Sequence, residues 1–304
     1  MKYYELEPEE NTFESVVVDL THRCNMECAN CYVPNRNIPD LSAEKLYQFL
    51  SRLPKRTYIR LIGAEPTMRE DLADIIRTVL KMKHKPSLTT NGLKFGRPEY
   101  AKEMRDAGLR MLLLSMNGAD DDDVYKIIDC GKYATLKMRA IENSFKNNFM
   151  VNTGTIIARN VNEHTIERQI EIVSDLQNKY NLRVKPVVRM KSIGSLGRHM
   201  ENCTYEFDEL VQLFSDTLKL PKDYITQTAC ETGVNRLQLK DDGNSYVFEY
   251  KNILVRLINW EHDDDGVVDA GSENRGRLTE DFKIAPFFEH VTVSYTHLTL
   301  PTKA

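Results

Sequence analysis

No apolar run in this 304-residue sequence approaches the roughly 20 residues that a membrane-spanning helix needs. Basic residues are not in excess either, because 41 lysines and arginines face 45 aspartates and glutamates, for a net charge of −4. No basic field therefore points to nucleic acid or to an anionic membrane as a partner. Residues 1–14 are polar and contain no apolar signal core, so we expect a short lead-in, no export and a cytoplasmic location.

Cysteines are few, and their distribution argues against a disulfide framework, because three of the six lie close together. Cys24, Cys28 and Cys31 are spaced x3 and then x2. They directly follow the apolar run Val16–Leu20, which predicts a buried strand. We therefore expect the cysteines on a loop at the carboxyl end of a strand, where α/β folds place their ligands.

Three thiolates on one short loop suit a metal centre. A cubane iron–sulfur cluster ordinarily takes four cysteine ligands, so three would leave one iron with an open position, as in catalytic metal sites. A zinc site is the alternative; His22 lies nearby, but no second Cys-x2-Cys or His-x3-His follows to complete it. Buried thiols that bind no metal are the third interpretation.

Short apolar strands alternate with amphipathic helices through the first two thirds of the chain, and this order predicts a parallel α/β sheet. After the run before the cysteines, the predicted strands are Tyr58–Ile62, Ser87–Gly92, Met111–Gly118, Val151–Ile157 and Arg183–Arg189. The predicted helices are 42–53, Glu70–Met82, Pro98–Ala107, Tyr133–Asn148, one capped by Asn162 and ending near Tyr180, and Phe207–Leu218. The continuous apolar run of the fourth strand predicts burial on both of its faces.

Several strand ends carry short polar motifs. Gly63-Ala64-Glu65-Pro66 follows the second strand, Thr89-Thr90-Asn91-Gly92 ends the third, and Ser115 and Asn117 end the fourth. Together with Cys-x3-Cys-x2-Cys, these motifs resemble the radical SAM superfamily, although Ala64 stands where the family's GGEP motif has its second glycine. The motif style is most similar to the branch with molybdopterin-precursor cyclase and the SPASM-type peptide-modifying enzymes, without the SPASM cysteines.

The resemblance implies an α/β fold with a partial (β/α)6 barrel over residues 15–200 and a small C-terminal α+β extension over 201–292. It implies a [4Fe–4S] cluster on Cys24, Cys28 and Cys31, and S-adenosylmethionine as the second cofactor. The residues that would bind this cofactor are Tyr32, Gly63, Ala64, Glu65, Pro66, Thr90, Asn91, Ser115, Asn117, Asn152 and Thr155. Arg189, at the end of the predicted sixth strand, adds a planar guanidinium that can clamp a carboxylate.

The resemblance also implies a reaction. S-adenosylmethionine would be cleaved reductively to a 5′-deoxyadenosyl radical that abstracts hydrogen from a substrate, with electrons from an external flavodoxin- or ferredoxin-type reductant. The likeness to the SPASM-bearing branch favours a peptide or protein side chain as substrate, and Thr89–Gly92 favours the alternative, a small molecule in cofactor or nucleotide biosynthesis. The non-enzymatic alternative is an iron–sulfur electron carrier or sensor.

Other features receive structural interpretations. Asp120–Asp123 predicts a solvated helix N-terminus, where negative charge is favoured, rather than a metal site. Residues 245–258 predict a hairpin about Lys251-Asn252. The segment 259–263 that follows is rich in side chains that could meet the substrate.

The other three cysteines and the C-terminal tail complete the sequence-based expectations. Cys130, Cys203 and Cys230 are scattered singly and are expected to be free buried thiols. Residues 293–304 resemble translated read-through of a sequencing adapter. We therefore expect this tail to carry no function and to pack poorly.

Overall fold

Ten strands form one sheet in the computed structural model, which describes residues 4–31, 33, 36–193, 203–226, 245–259 and 275–286. The strands are β1 (Ser15–Asp19), β2 (Tyr58–Ile62), β3 (Lys85–Thr90), β4 (Met111–Ser115), β5 (Met150–Ile157), β6 (Val187–Ser192), β7 (Ser245–Tyr250), β8 (Ile253–Ile258), β9 (Arg275–Leu278) and β10 (Ile284–Pro286). Strands β1 to β6 are neighbours in chain order and run parallel to one another. This arrangement confirms the predicted parallel α/β sheet.

Helices connect the parallel strands β1 to β6, and two more helices follow β6. They are α1 (Ala43–Arg52), α2 (Leu72–Lys81), α3 (Pro98–Asp106), α4 (Asp122–Ile128), α5 (Ala134–Lys146), α6 (Ile166–Tyr180), α7 (Phe207–Leu218) and α8 (Lys222–Ile225). In α2, Leu72, Ile75, Ile76 and Val79 repeat at helical spacing, and all four are buried in the hydrophobic core. Within the described residues, no helix is long and apolar enough to cross a membrane.

The parallel strands have one face in the core and one face toward an interior cavity. In β4, Leu112 and Leu114 are buried in the core, whereas Leu113 and Ser115 are only half-buried and line the cavity. The prediction that this strand is buried on both faces is therefore wrong. Its apolar run is continuous because Leu113 supplies an apolar part of the cavity wall.

The C-terminal strands extend the same sheet at both ends. Strand β8 pairs in parallel with β6, and its antiparallel partner β7 forms the edge. Strand β9 pairs in parallel with β1, and β10 completes the opposite edge. The β7–β8 hairpin turns at Lys251-Asn252, where both residues have positive φ, as predicted for a tight turn.

The N-termini of two helices are capped by side chains in agreement with the sequence-based predictions, and that of a third helix is not. The Ser42 side chain accepts from the backbone N–H of Lys45 at the start of α1, and Asp121 accepts from Asp123 and Val124 at the start of α4. Asn162 does not cap α6; its side chain instead bonds Ala158, Ile156 and the carbonyl of Asn117, and a 3-10 turn over Glu163–Thr165 precedes the helix.

Two further expectations need correction, and others fall outside the described residues. The sixth strand begins at Val187 rather than at 183 and runs to Ser192. Cys130 is a free thiol but is exposed, so its predicted burial is wrong; it follows α4 in a loop and has a positive φ. Cys203 is free and half-buried. Residues 260–263, Cys230 and the tail 293–304 lie outside the described residues.

Candidate active site

A cavity of about 260 Å³ opens at the carboxyl ends of the parallel strands and brings most of the predicted site residues together. Its wall includes Cys24, Cys28, Cys31, Gly63, Ala64, Thr90, Asn91, Ser115, Asn117, Thr155 and Arg189. Three predicted residues lie outside this wall. Glu65 and Pro66 are buried behind it, and Asn152 lies two residues deeper along β5 than Gly154, which does line the cavity. Tyr32 lies outside the described residues.

The cysteine loop is held by backbone hydrogen bonds. The N–H of Met26 donates to Sγ of Cys24 at 3.4 Å, and the N–H of Cys31 donates to the carbonyl of Cys28 at 3.2 Å. The N–H of Ala29 donates to the carbonyl of Ile128 at 2.8 Å, which fixes the loop to the end of α4. The side chain of Met26 is buried, so its packing inside the protein also holds the loop in place.

The sulfurs of this loop occupy a partly desolvated environment. Burial raises the pKa of the Cys24 thiol, although the Met26 N–H bond opposes the shift. Burial also raises the pKa of Cys28 strongly, and the nearby Asp129 carboxylate adds to that effect. Because a metal ligand must be the thiolate, loading of a metal centre here would release protons from these cysteines.

The described residues contain no group of three or more His, Cys, Asp or Glu side chains placed to hold one metal ion. The zinc alternative therefore has no ligand set in this part of the chain. A cubane cluster makes a different demand, because its thiolates bind separate irons and need only surround the cluster. Cys24, Cys28 and Cys31 all line the same cavity, as binding to one cluster would require.

The loop after β2 packs directly against the cysteine loop, and Gly63 makes this approach possible. Gly63 has φ +147°, and a Cβ at this position would lie 2.4 Å from the carbonyl oxygen of Thr21. The N–H of Ala64 donates to that same oxygen at 2.9 Å, and the N–H of Glu65 donates to the carbonyl of Arg23 at 3.0 Å. Ala64 is not among the residues with positive φ, so its methyl group is tolerated where the family motif has glycine.

The carboxylate of Glu65 connects the ends of β2 and β3. It is wholly buried and accepts hydrogen bonds from the N–H and hydroxyl of Thr67, the hydroxyl of Thr90 and the N–H of Asn91. Glu65 therefore shapes the cavity wall from behind. Asn91 continues this connection, because its Nδ2 donates to Oδ1 of Asn25 at 2.8 Å, within the cysteine loop.

Two charged residues that the sequence did not single out line the cavity at the end of β4. Lys137 on α5 is 3% exposed, and its Nζ donates to the carbonyl of Ser115 at 2.8 Å. Asp129 is 2% exposed; its Oδ1 accepts from Nδ2 of Asn117 at 2.9 Å, and its buried Oδ2 has no hydrogen-bond partner within the described structure. Burial lowers the pKa of Lys137, and the Asp129 carboxylate opposes that shift.

The other polar residues at these strand ends are largely engaged in the fold. The amide of Asn117 donates to Asp129 and accepts from the N–H of Ile156 at 3.1 Å. The Thr155 hydroxyl bonds the carbonyl of Met116 and the side chain of Gln169. These contacts fix the geometry of the cavity wall. Lys137 and Asp129 are the buried charged residues among those that line the cavity.

A sequence signal for Lys137 does exist. The buried face of α5 includes Ala134, Lys137, Ala140, Ile141 and Phe145, at spacings of three and four residues. A lysine on the apolar face of a helix is costly to bury unless it has a partner or a ligand. A lysine at this position of the sequence therefore indicates a buried partner or ligand.

A comparison with protein families shows to which family the chain belongs. The family model of the Radical SAM superfamily matches residues 18–173, which is half of the chain and contains the three cysteines. The chain belongs to the radical SAM superfamily. Membership of this superfamily implies S-adenosylmethionine and an iron–sulfur cluster as cofactors.

Curated relatives match about half of this chain. The chain is 29% identical over 160 residues to 7,8-dihydro-6-hydroxymethylpterin dimethyltransferase of Methanocaldococcus jannaschii, covering 49% of this chain and 31% of that protein. It is 28% identical over 165 residues to GTP 3′,8-cyclase of Aquifex aeolicus, covering 49% of each. The matched regions thus span about half or less of these relatives' length.

Solved radical SAM structures share the fold. Streptococcus suis SuiB bound to S-adenosylmethionine matches with a TM-score of 0.56 at 13% identity, covering 70% of this chain and 48% of that chain. Native anSMEcpe with bound AdoMet and Kp18Cys peptide matches with a TM-score of 0.51 at 16% identity, covering 67% of this chain and 59% of that chain. These matches confirm the predicted α/β fold, a partial radical SAM barrel.

Proposed function

We propose that Cys24, Cys28 and Cys31 hold a [4Fe–4S] cluster and that the cavity beside them binds S-adenosylmethionine for reductive cleavage. When bound, this pair of cofactors supplies a 5′-deoxyadenosyl radical that abstracts hydrogen from a substrate. The observation that carries the proposal is the placement of three loop cysteines and the buried charges Lys137 and Asp129 in one cavity at the strand ends.

The buried charges fit the polar groups of the cofactor. S-adenosylmethionine carries a carboxylate and an ammonium group, and its ribose has hydroxyl donors. Lys137 offers the cavity an ammonium for the carboxylate, held in place by its bond to the Ser115 carbonyl. Asp129 Oδ2 offers a desolvated acceptor for a hydroxyl or ammonium donor, which would satisfy an oxygen that otherwise has no partner.

The protein's own contribution is to bind, orient and exclude water. Gly63 and Ala64 bring the end of β2 against the cysteine loop, and Glu65 fixes that turn relative to β3. The apolar Leu113 and Ile156 line the same cavity and limit the access of water to it. The electron would come from an external one-electron reductant of the flavodoxin or ferredoxin type.

Two classes of substrate follow from the relatives, and the cavity favours the smaller one. GTP 3′,8-cyclase, to which about half of this chain is similar, is named for a nucleotide. Arg60 on β2 and Arg189 and Lys191 on β6 also line the cavity, and cations on its wall suit an anionic small molecule. Peptide or protein modification is the second candidate, because SuiB, which shares the fold, is solved with a precursor peptide.

The test is anaerobic reconstitution with iron and sulfide, followed by assay of 5′-deoxyadenosine under a strong reductant. We expect the intact protein to form 5′-deoxyadenosine and Cys28→Ala to lose both cluster and product. Cys130→Ala is the matched control, because Cys130 is an exposed free thiol, and it should behave as the unmodified protein. A loaded cluster that yields no 5′-deoxyadenosine with any substrate would favour the electron-carrier alternative.

The substrate classes are separated in the same assay. A nucleoside triphosphate and a panel of synthetic peptides are added in parallel, and formation of 5′-deoxyadenosine above the background rate is measured. Stimulation by the nucleotide and not by peptides would support the first candidate. Stimulation by a peptide alone would replace it with the second.

A further inference from the structure

The side chain of Arg36 joins two parts of the cysteine loop. Its Nη2 donates to Sγ of Cys31 at 3.4 Å, and its Nη1 donates to the carbonyl oxygen of Met26. The N–H of Met26 in turn donates to Sγ of Cys24. One guanidinium therefore reaches a cysteine sulfur directly and is fixed in place by the middle of the loop that carries all three cysteines.

Arg36 places a permanent positive charge beside a sulfur that the proposed function makes a cluster ligand. Arginine stays protonated at every accessible pH, and its rigid fork allows two hydrogen bonds in defined directions. The side chain lies in the cavity wall together with the cysteines, where partial exclusion of water strengthens its field at the sulfur. Hydrogen bonds and charges at the sulfurs are among the factors that set the potential of an iron–sulfur cluster.

We propose that Arg36 is a positioning residue that raises the reduction potential of the cluster through its contact with Cys31. Reduction moves one electron from an external reductant to the cluster, so the cluster gains a negative charge while the reductant is oxidised. A cation at the Cys31 sulfur stabilises the reduced, more negative form over the oxidised form. Arg36 thereby makes the cluster easier for a low-potential donor to reduce.

The proposal rests on the cluster site of the proposed function, but its test needs neither S-adenosylmethionine nor substrate. Arg36→Gln removes the charge, and Arg36→Lys keeps the charge while losing the fork. Arg23→Gln is the matched control, because Arg23 precedes Cys24 but its guanidinium pairs with Asp40, and its side chain is 49% exposed. Each reconstituted protein is titrated electrochemically, and the reduced cluster is followed by electron paramagnetic resonance.

We expect Arg36→Gln to lower the ratio of reduced to oxidised cluster at a fixed potential about tenfold, which equals ~59 mV for one electron. Arg36→Lys should retain most of the original midpoint, and Arg23→Gln should shift it much less than Arg36→Gln does. An unchanged midpoint in loaded Arg36→Gln protein would overturn the proposal. Loss of iron and sulfide from both Arg36 variants would also overturn it, by making Arg36 a structural support of the loop.

These outcomes are distinct from failure of the proposed function. If the unmodified protein takes up no iron–sulfur cluster, the cluster assignment itself is wrong. If it takes up a cluster and the Arg36 variants titrate like the unmodified protein, only the tuning role is wrong.

Discussion

The hydroxyl of Thr90 donates a hydrogen bond to the buried carboxylate of Glu65 at 2.7 Å, and this contact ties the end of β3 to the turn after β2. Oε2 of Glu65 accepts from the N–H of Asn91 at 2.6 Å, so both carboxylate oxygens are used. The glutamate of the Gly-Ala-Glu-Pro motif is thus an internal tie between two strand ends.

Glu65→Gln should destabilise the protein by about 2 kcal/mol, because an amide replaces one of the two acceptor oxygens and its NH2 then faces a donor. Glu70→Gln is the control, since Glu70 is exposed, and its effect should stay within about 0.5 kcal/mol. Urea denaturation midpoints measure both. Equal midpoints for the two variants would contradict a structural role for Glu65.

Gly63→Ala should reduce the free energy of unfolding by about 3 kcal/mol or more, because the new Cβ would meet the Thr21 carbonyl oxygen at 2.4 Å. Gly92→Ala provides the comparison: its φ is also positive, at +81°, but its Cβ would lie 3.4 Å from Leu114. We expect only about 1–2 kcal/mol there, from the backbone conformation alone. If denaturation gives similar losses for both variants, close approach to Thr21 is not the reason for glycine at position 63.

Lys137→Met should weaken binding of S-adenosylmethionine about tenfold or more, because it removes a buried cation from the cavity while keeping the length of the side chain. Iron content should not change. Lys132→Met, at an exposed position of the preceding loop, should leave affinity unaltered. Anaerobic equilibrium dialysis with radiolabelled cofactor measures the affinity. Unchanged binding by Lys137→Met would remove Lys137 from the proposed site.

The same Lys137 substitution has a second expected effect, on stability. Burial lowers the pKa of this lysine, which means that desolvation makes its charged form costlier in the folded state than in the unfolded chain. Replacement by an apolar side chain of similar length removes this penalty but also removes the hydrogen bond to the Ser115 carbonyl, so we expect only a small change in unfolding temperature. A marked fall in unfolding temperature would show that weaker cofactor binding reflects a damaged fold.

His84 should make stability fall as the pH drops from 7 to 5. Its Nδ1 accepts from the N–H of Thr57 at 3.2 Å, and its Nε2 lies 3.1 Å from the carbonyl of Leu50, a pattern that requires the neutral ring. Burial lowers the pKa of His84 below that of an unfolded chain. The unfolded state therefore binds a proton first as the pH falls through about 6.5, and stability is lost.

His84→Gln removes this titration, so its stability should depend less on pH over the same range, although it should be lower at pH 7. Urea denaturation at pH 7 and pH 5 measures the difference. Parallel losses in the two proteins would assign the pH dependence to other groups.

Local patterns in the sequence predict the barrel well, because each strand and helix carries its own periodicity. Strand β2 occupies Tyr58–Ile62 and helix α7 occupies Phe207–Leu218, as predicted. Backbone motifs at strand ends also locate the cavity, since carboxyl ends of parallel strands meet at one edge of the sheet. Both successes rest on information within about a dozen neighbouring residues.

The sequence-based predictions fail where residues that are distant in the sequence come into contact. Nε of Arg277 on β9 donates to Oδ2 of Asp19 on β1 at 2.8 Å. The two residues are 258 positions apart in the sequence, so no local pattern predicts this contact. Lys137 and Asp129 enter the cavity from a helix and a loop, so their spacing matches no strand-end motif. Asn162 has the chemistry of a helix cap, but its side chain bonds the carbonyl of Asn117 instead.

The pairing of β9 with β1 links the cysteine loop to the order of synthesis. Strand β1, which leads into the cysteines, gains its second neighbour only after residues 275–278 have been translated. A nascent chain that has just completed β6 already contains every cysteine of the loop, yet it still has an open edge on the strand beneath them. Strand β9, which is synthesised late, thus pairs with β1, which is synthesised first. Strand β1 and the cysteine loop that follows it therefore reach their final surroundings only late in translation.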